Sequence, residues 1–163
     1  MLLVGIVAKK KDIQAIKKDI KDNNIEIIEI TKESIKNINH IKFEEIVFLQ
    51  NIKLEKEEYK YMNEILSNTK FLILNGDIEI EALSELEIKK PIKLITFGFN
   101  SKSTITISSV KDEKIIVYIQ RIIENANGEI LNQQEKEIIS KDIKKIYNNL
   151  VVFIIKELHN LRK

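Results

Sequence analysis

Short apolar runs recur along the first hundred residues, and polar stretches with helical spacing separate them. An unbroken run of this kind is typical of a strand that is covered on both faces. Between the first two runs, Ile13, Ile16 and Ile20 return at helical spacing, which indicates an amphipathic helix. The predicted strands are residues 2–8, 25–30, 45–50, 71–75 and 92–97.

Helices are predicted between these strands. Asp12 can cap the first of them, Ile35 and Ile38 indicate a short second one, and residues 54–67 and 79–86 supply a third helix and a helical turn. Strands that alternate with helices in this way predict βαβ units and a mainly parallel sheet. Because the crossovers are right-handed, we expect an α/β fold with a Rossmann-like three-layer core.

The hydrophobic period changes after Gly98. "STITISS" alternates strictly, "VKDEK" turns, "IIVYIQR" returns, and "NANGE" leads into a third strand within residues 129–139. Alternation at every second residue predicts an antiparallel β meander with one packed face and one wet face. Glycine allows a sharp turn without a Cβ clash, so Gly98 is where the chain leaves the parallel sheet. We expect the meander to lie at one edge of that sheet.

Residues 140–161 are predicted as a C-terminal helix, although the run "LVVFII" (Leu150–Ile155) could also form a strand. The run is apolar around the whole circumference of such a helix, so something must cover its second face. The meander could do so within the chain. A second copy of the chain across a two-fold axis is the other possibility, and we expect Val152 and Phe153 to contribute to such a homodimer interface.

Composition indicates one soluble domain. With 163 residues, the chain divides into a parallel βα core (1–98), a meander (99–139) and a C-terminal helix (140–163). The net charge is only +2, with two arginines and no tryptophan, which argues against nucleic-acid binding. Cysteine is absent, which excludes disulfides, and the apolar runs are too short for a signal peptide or a membrane span. We therefore expect a cytoplasmic protein without a membrane partner.

Two segments resemble the Mur ligases, the ATP-dependent amide ligases of peptidoglycan synthesis. "LILNGDIE" (Leu72–Glu79) looks like the "vvNaDd" strand end of that family, and "LITFGFNSKSTITIS" (Leu94–Ser108) resembles the strand and corner that follow it. A small antiparallel sheet comes next in the family, as it is predicted to do here. The resemblance covers roughly residues 70–140 and implies the fold of the Mur central domain.

The catalytic motifs of that family have no counterpart here. Its first strand leads into a Gly-Thr-Asn-Gly-Lys-Thr/Ser P-loop, whereas this chain continues with "AKKKD", which has no glycine to let backbone amides cradle phosphates. The long portion that carries the family's magnesium-binding Glu, carbamylated Lys and conserved His is missing. Its His-Asn motif is echoed only by Tyr147–Asn149. The resemblance therefore implies no catalytic residue and no cofactor.

Four polar residues at the ends of predicted strands are candidate ligand-binding residues. Asn75 and Asp77 follow the fourth strand, and Thr96 and Asn100 flank the end of the fifth. The carboxyl edge of a parallel sheet is where α/β proteins bind ligands, so these side chains could line a small pocket. The alternative is turn chemistry, because Asn, Gly and Asp are the residues that a tight strand exit needs.

Lysines and histidines give fewer indications. Lys9 and Lys10, with Lys11, follow the first strand at the same edge and could hold an anion or form a solvated loop. His40 and His159 have no cysteine or second histidine at ligand spacing, so we expect no metal site.

Together these features predict a non-catalytic, Mur-ligase-like binding or interaction module with an unknown protein partner or small ligand. The alternative is a small-molecule or nucleotide-binding protein, or an enzyme, that uses the carboxyl-edge pocket with unfamiliar residues. A bound nucleotide or metal would favour the alternative, and an exposed apolar surface would favour the interaction module.

Overall fold

The computed structural model describes residues 1–140 and 142–161. Its helices are α1 (Lys10–Asp19), α2 (Ile35–Ile38), α3 (Lys56–Ser67) and α4 (Ile146–Leu158), and a 3-10 turn spans Glu81–Ser84. Its strands are β1 (Leu2–Val7), β2 (Ile25–Glu29), β3 (Glu45–Phe48), β4 (Phe71–Asn75), β5 (Lys93–Gly98), β6 (Ile105–Lys111), β7 (Lys114–Ile119), β8 (Ile123–Glu124), β9 (Ile130–Leu131) and β10 (Gln134–Ile139).

Eight of the strands form one mixed sheet in the order β2-β1-β3-β4-β5-β6-β7-β10. The first five strands are parallel to one another, β6 joins β5 in parallel over two paired positions, and β6, β7 and β10 are antiparallel. This confirms the five predicted parallel strands and the meander at one edge. The third meander strand differs, because residues 129–139 divide into β10 and the shorter β9, which pairs with β8 in a separate two-stranded sheet.

Helices cover both faces of the sheet, which confirms the three-layer α/β fold class. On one face, α1 and α4 bury a core that includes Ile6, Ile95, Phe97 and Val117. On the other face, α2 and α3 bury a second core around the side chain of Phe48. In the part of the chain that the structure describes, no helix has both the length and the apolar character needed to cross a membrane.

The second helical layer stops short of the meander. Side chains of β6, β7 and β10 that point away from α1 and α4 belong to neither core, as the partly buried Ile116 and Tyr118 show. This confirms the predicted wet face of the meander. We call this region the open sheet face, and its members are Leu94, Thr106, Ile116, Tyr118, Glu137 and Ile139.

The start of α1 differs from the expectation. The helix begins at Lys10 with Lys9 as its N-cap residue, so Asp12 lies in the first turn and does not cap it. Lys9, Lys10 and Lys11 consequently form the helix start and not a solvated loop. Lysine is a good helix former, which explains why the helix begins so soon after β1. The short β1–α1 connection leaves no loop of the kind that holds a phosphate.

Helix α4 forms where the sequence predicts a helix and not a strand, but it begins at Ile146 instead of residue 140. Lys141 and residues 162–163 lie outside the described part. The interface interpretation of Val152 and Phe153 stays a prediction. These side chains are 8% and 9% exposed in the single chain, where they join the core beneath α1 and α4. Their burial therefore needs no second chain, and the homodimer stays a prediction without this support.

Candidate functional site

Asp77 connects the loops at the carboxyl edge of the sheet. Its Oδ2 accepts hydrogen bonds from the backbone N–H of Phe99 at 2.7 Å and from the hydroxyl of Tyr147 at 2.8 Å. Its Oδ1 accepts the backbone N–H of Asn100 at 2.8 Å. One carboxylate thereby joins the exit of β4, the loop after β5 and the first turn of α4.

Gly98 makes this arrangement possible. Its φ angle is +143°, a conformation that residues with a side chain rarely adopt. A Cβ built on Gly98 would lie 2.5 Å from Oδ2 of Asp77, which is far inside van der Waals contact. The sharp turn predicted at this glycine is thus accompanied by a close approach of the carboxylate, which the sequence pattern did not reveal.

The two asparagines of the predicted site are both engaged within the chain. Asn75 is buried, donates from Nδ2 to the carbonyl of Leu49 at 3.2 Å and accepts the N–H of Asp77 at 3.0 Å. Asn100 accepts the N–H of Lys102 at 2.9 Å and donates to the carbonyl of Gly76 at 3.3 Å. Hydrogen bonds of this type are those by which Asn side chains stabilise turns.

Thr96 lies apart from this cluster. Its Oγ1 accepts the N–H of Thr104 at 2.9 Å, and its own N–H donates to Oγ1 of Thr104 at 3.2 Å. The reciprocal pair holds the start of the meander against β5. The structure thus brings Asn75, Asp77 and Asn100 together, whereas Thr96 has a separate role.

Lys9 and Lys10 are exposed, and in residues 1–140 and 142–161 neither forms an ion pair. They stand at the N-terminus of α1, which adjoins the N-terminus of α4 because Nδ2 of Asn148 donates to Oδ1 of Asp12 at 3.0 Å. Helix N-termini carry partial positive charge. Two such termini, Lys9 and Lys10 therefore meet on this side of the edge, together with the carboxylate of Asp12.

Tyr147 is the central aromatic residue of the edge. Its ring contacts Phe97 and, edge-on at 6.3 Å between centroids, Phe99, which is 54% exposed. Burial, together with the hydrogen bond to Asp77, raises the pKa of Tyr147 to about 12, so it stays a neutral donor near pH 7. Sequence reasoning singled out Tyr147 and Asn148 only as an echo of a family motif. It did not predict their hydrogen bonds to Asp77 and Asp12, which are distant along the chain.

The hydrogen bonds that Asp77 already accepts limit its chemistry. The carboxylate of Asp77 already accepts three hydrogen bonds, which is unsuited to a general base that must take up a proton. Among the described residues, no three His, Cys, Asp or Glu side chains are grouped to hold a metal ion.

A separate groove of about 790 Å³ runs along the outer side of α3. Lysines and glutamates line it together with Tyr59, and Asn63 accepts the N–H of Glu87 at 2.9 Å across it. None of the candidate residues of the carboxyl edge borders this groove.

Comparisons with known proteins bear on the fold. No protein-family model and no curated protein sequence matches the chain. Among solved structures, it is similar to MurF from Acinetobacter baumannii, with a TM-score of 0.51 and 7% sequence identity. The match covers 94% of this chain but only 42% of the MurF chain, so this chain spans less than half the length of that neighbour. At such low identity, the similarity shows a Mur-ligase-like fold and nothing further.

Proposed function

We propose that the chain is a non-catalytic binding module built on a Mur-ligase-like fold. One observation carries the proposal: the polar side chains that should form a carboxyl-edge site hold the chain's own loops together. Asp77 accepts three internal hydrogen bonds, and Asn75 and Asn100 each make two. A ligand would have to displace these bonds, at a cost of about 1 kcal/mol or more for each.

The open sheet face supports a macromolecular partner. Parallel strands are ordinarily covered on both faces, yet Leu94 on β5 is 55% exposed. Ile139 on the edge strand is 60% exposed on the same face. Exposed apolar side chains rimmed by polar residues are characteristic of protein–protein contact surfaces.

Co-purification from the native cell, followed by mass spectrometry, tests the proposal. The wild-type bait is compared with a double variant, Leu94→Asp with Ile139→Asp. The control is Ile122→Asp with Ile130→Asp, which alters side chains that are 64% and 54% exposed and lie outside the open sheet face. We expect a partner that the wild type and the control capture and that the first variant loses. Equal capture by all three baits would show that the open sheet face is not the binding surface.

A small-molecule or nucleotide-binding protein is the second candidate. It is favoured by the adjoining N-termini of α1 and α4, where Lys9 and Lys10 pair with no acidic group of the described residues and Phe99 has an exposed ring. Calorimetry with ATP–magnesium distinguishes the two functions. The binding module predicts no heat of binding at micromolar concentrations. Micromolar binding that Lys9→Ala with Lys10→Ala abolishes, and that Lys17→Ala with Lys18→Ala in the last turn of α1 preserves, would establish the second candidate instead.

A further inference from the structure

A buried acid–base pair lies at the opposite, amino edge of the sheet. Glu45 begins β3 and its side chain is completely buried, while the side chain of His159 at the C-cap of α4 is 4% exposed. Nε2 of His159 bonds to Oε1 of Glu45, and Oε2 of Glu45 has no hydrogen-bond partner. The imidazole is therefore the one side chain that compensates this buried carboxylate within the described part of the chain.

The surrounding charges do not replace this partner. Among the described residues, the other charged groups that face the pair are Glu44 and Lys70, which are themselves joined at 2.8 Å. On the turn between β8 and β9, the carboxylate of Glu129 is bound by the amide groups of Asn125 and Asn160. Lys70 is the one cation among these groups, and it could compensate Glu45 only by leaving Glu44.

The pair secures more than one side chain. Leu158, next to His159, accepts the N–H of Ala126 at 2.9 Å. Asn160 donates to Glu129 at 2.5 Å. The β8–β9 hairpin is thus attached to the same turn of α4 that the acid–base pair fixes to the sheet.

We propose that Glu45 and His159 form a pH-sensitive clasp, which holds the last turn of α4 and the β8–β9 hairpin on the sheet and releases them as the solution becomes alkaline. When the imidazole loses its proton, Glu45 remains as an uncompensated buried charge. Such a charge is strongly destabilising, and local opening that admits water relieves it.

The direction of the pH effect follows from both groups. Burial raises the pKa of Glu45 above 4.5, against the opposing hydrogen bond to His159. Burial lowers the pKa of His159, but the hydrogen bond and charge of Glu45 outweigh it, so the pKa is raised above 6.5. The closed state therefore binds more protons than the open state. The stabilisation is fully present below the unfolded pKa of His159 and is lost as the pH rises through its folded pKa.

Hydrogen exchange measured by mass spectrometry between about pH 6 and about pH 9 tests the clasp. The exchange rates of peptides from residues 123–131 and 156–161 are divided by the rate of a β1 peptide in the same sample. This corrects for the faster chemical exchange of all amides at higher pH. We expect relative opening to rise by up to about tenfold per pH unit above the pKa of His159, because one proton is released. His159→Gln and Glu45→Gln should remove this dependence, and His40→Gln, which alters the exposed histidine, should keep it.

A proton NMR titration of the wild type tests the clasp even if the Glu45 and His159 variants fail to fold. The His40→Gln spectrum assigns the remaining signal to His159. A pKa above 6.5 that coincides with the onset of opening supports the clasp. A pKa at or below 6.5, opening that spreads equally over β1, or a profile that His159→Gln leaves unchanged would overturn it.

Discussion

At the scale of single residues, Asp77 and Gly98 act as one unit. The carboxylate replaces solvent at the N–H groups of Phe99 and Asn100, and the absence of a side chain on Gly98 lets it come close enough. Charge-assisted hydrogen bonds to backbone N–H groups are stronger than neutral ones, which makes Asp77 an effective organiser of a loop that the sheet does not itself stabilise.

Replacing Gly98 by alanine should destabilise the fold more than the same change at Gly128. Both glycines have positive φ angles, but only at Gly98 would the new Cβ meet another group closely. We expect a loss of about 2–4 kcal/mol for Gly98→Ala and about 1 kcal/mol for Gly128→Ala in urea unfolding. Adding Asp77→Ala should reduce the further cost of Gly98→Ala, since it removes the clash. Equal costs for the two glycines would show that the carboxylate does not constrain Gly98.

The ionisation of Tyr147 should report on the closed edge. Its folded-state pKa of about 12 exceeds the ordinary tyrosine value of 10.0, so its contribution to stability is complete below pH 10 and is lost as the pH rises towards 12. Spectrophotometric titration of the tyrosinate band should show a late component that Tyr147→Phe removes. Asp77→Asn should shift that component to lower pH. A wild-type titration complete near pH 10 would contradict the proposed contact.

At the scale of elements, strand positions were predictable because five apolar runs coincide with buried strands. The boundaries of the strands were less predictable from the sequence. The division between β9 and β10 depends on which strand each segment pairs with, and the pairing of β8 with β9 leaves no pattern in the local sequence. The sequence also did not show which parts of the chain bury the second face of α4. Its second face is buried by the packing of α1 and the sheet, which are contacts between segments far apart in sequence.

The edge strand β10 bears on the possible dimer. Glu135, Lys136 and Glu137 follow one another along it, so this edge of the sheet carries charged side chains. Charged edge strands of this type disfavour edge-to-edge association. A homodimer, if it forms, should therefore use a face of the molecule and not this edge.

A glutamate at Val152 should unfold the protein. The side chain is 8% exposed and lies in the core under α1 and α4. An ionised carboxylate there would cost several kcal/mol, which is comparable with the whole free energy of unfolding of a domain of this size. We expect Val152→Glu to abolish the cooperative thermal transition in circular dichroism, whereas Ile122→Glu, at a side chain 64% exposed, should leave it nearly unchanged. A folded monomer obtained from a dimeric wild type by Val152→Glu would instead place this side chain between chains.

At the scale of the whole molecule, the parallel part and the meander share one of the two cores. The core beneath α1 and α4 includes Val4 of β1, Phe97 of β5 and Val117 of β7, together with Ile154 of α4. Residues from every predicted part of the chain thus contribute to one apolar cluster. This supports our proposal that residues 1–163 form one domain, since separate domains would have separate cores.

Residues 1–98 alone should therefore fail to fold, even though they contain five strands and α1 to α3. Cutting after Gly98 removes α4 and β6, which exposes the α4-facing side chains of β5 and the side chains of α1 that pack against α4. Buried apolar area stabilises a domain by about 25 cal/mol per Å². Uncovering several Ile and Phe side chains therefore costs more than the net free energy of unfolding of the domain. The full chain should unfold in a single transition that circular dichroism and tyrosine fluorescence report at the same denaturant concentration. The fragment should show no such transition and should be digested rapidly by protease. A fragment with its own cooperative transition would mean that the parallel part is an independent domain, to which the meander and α4 are an addition.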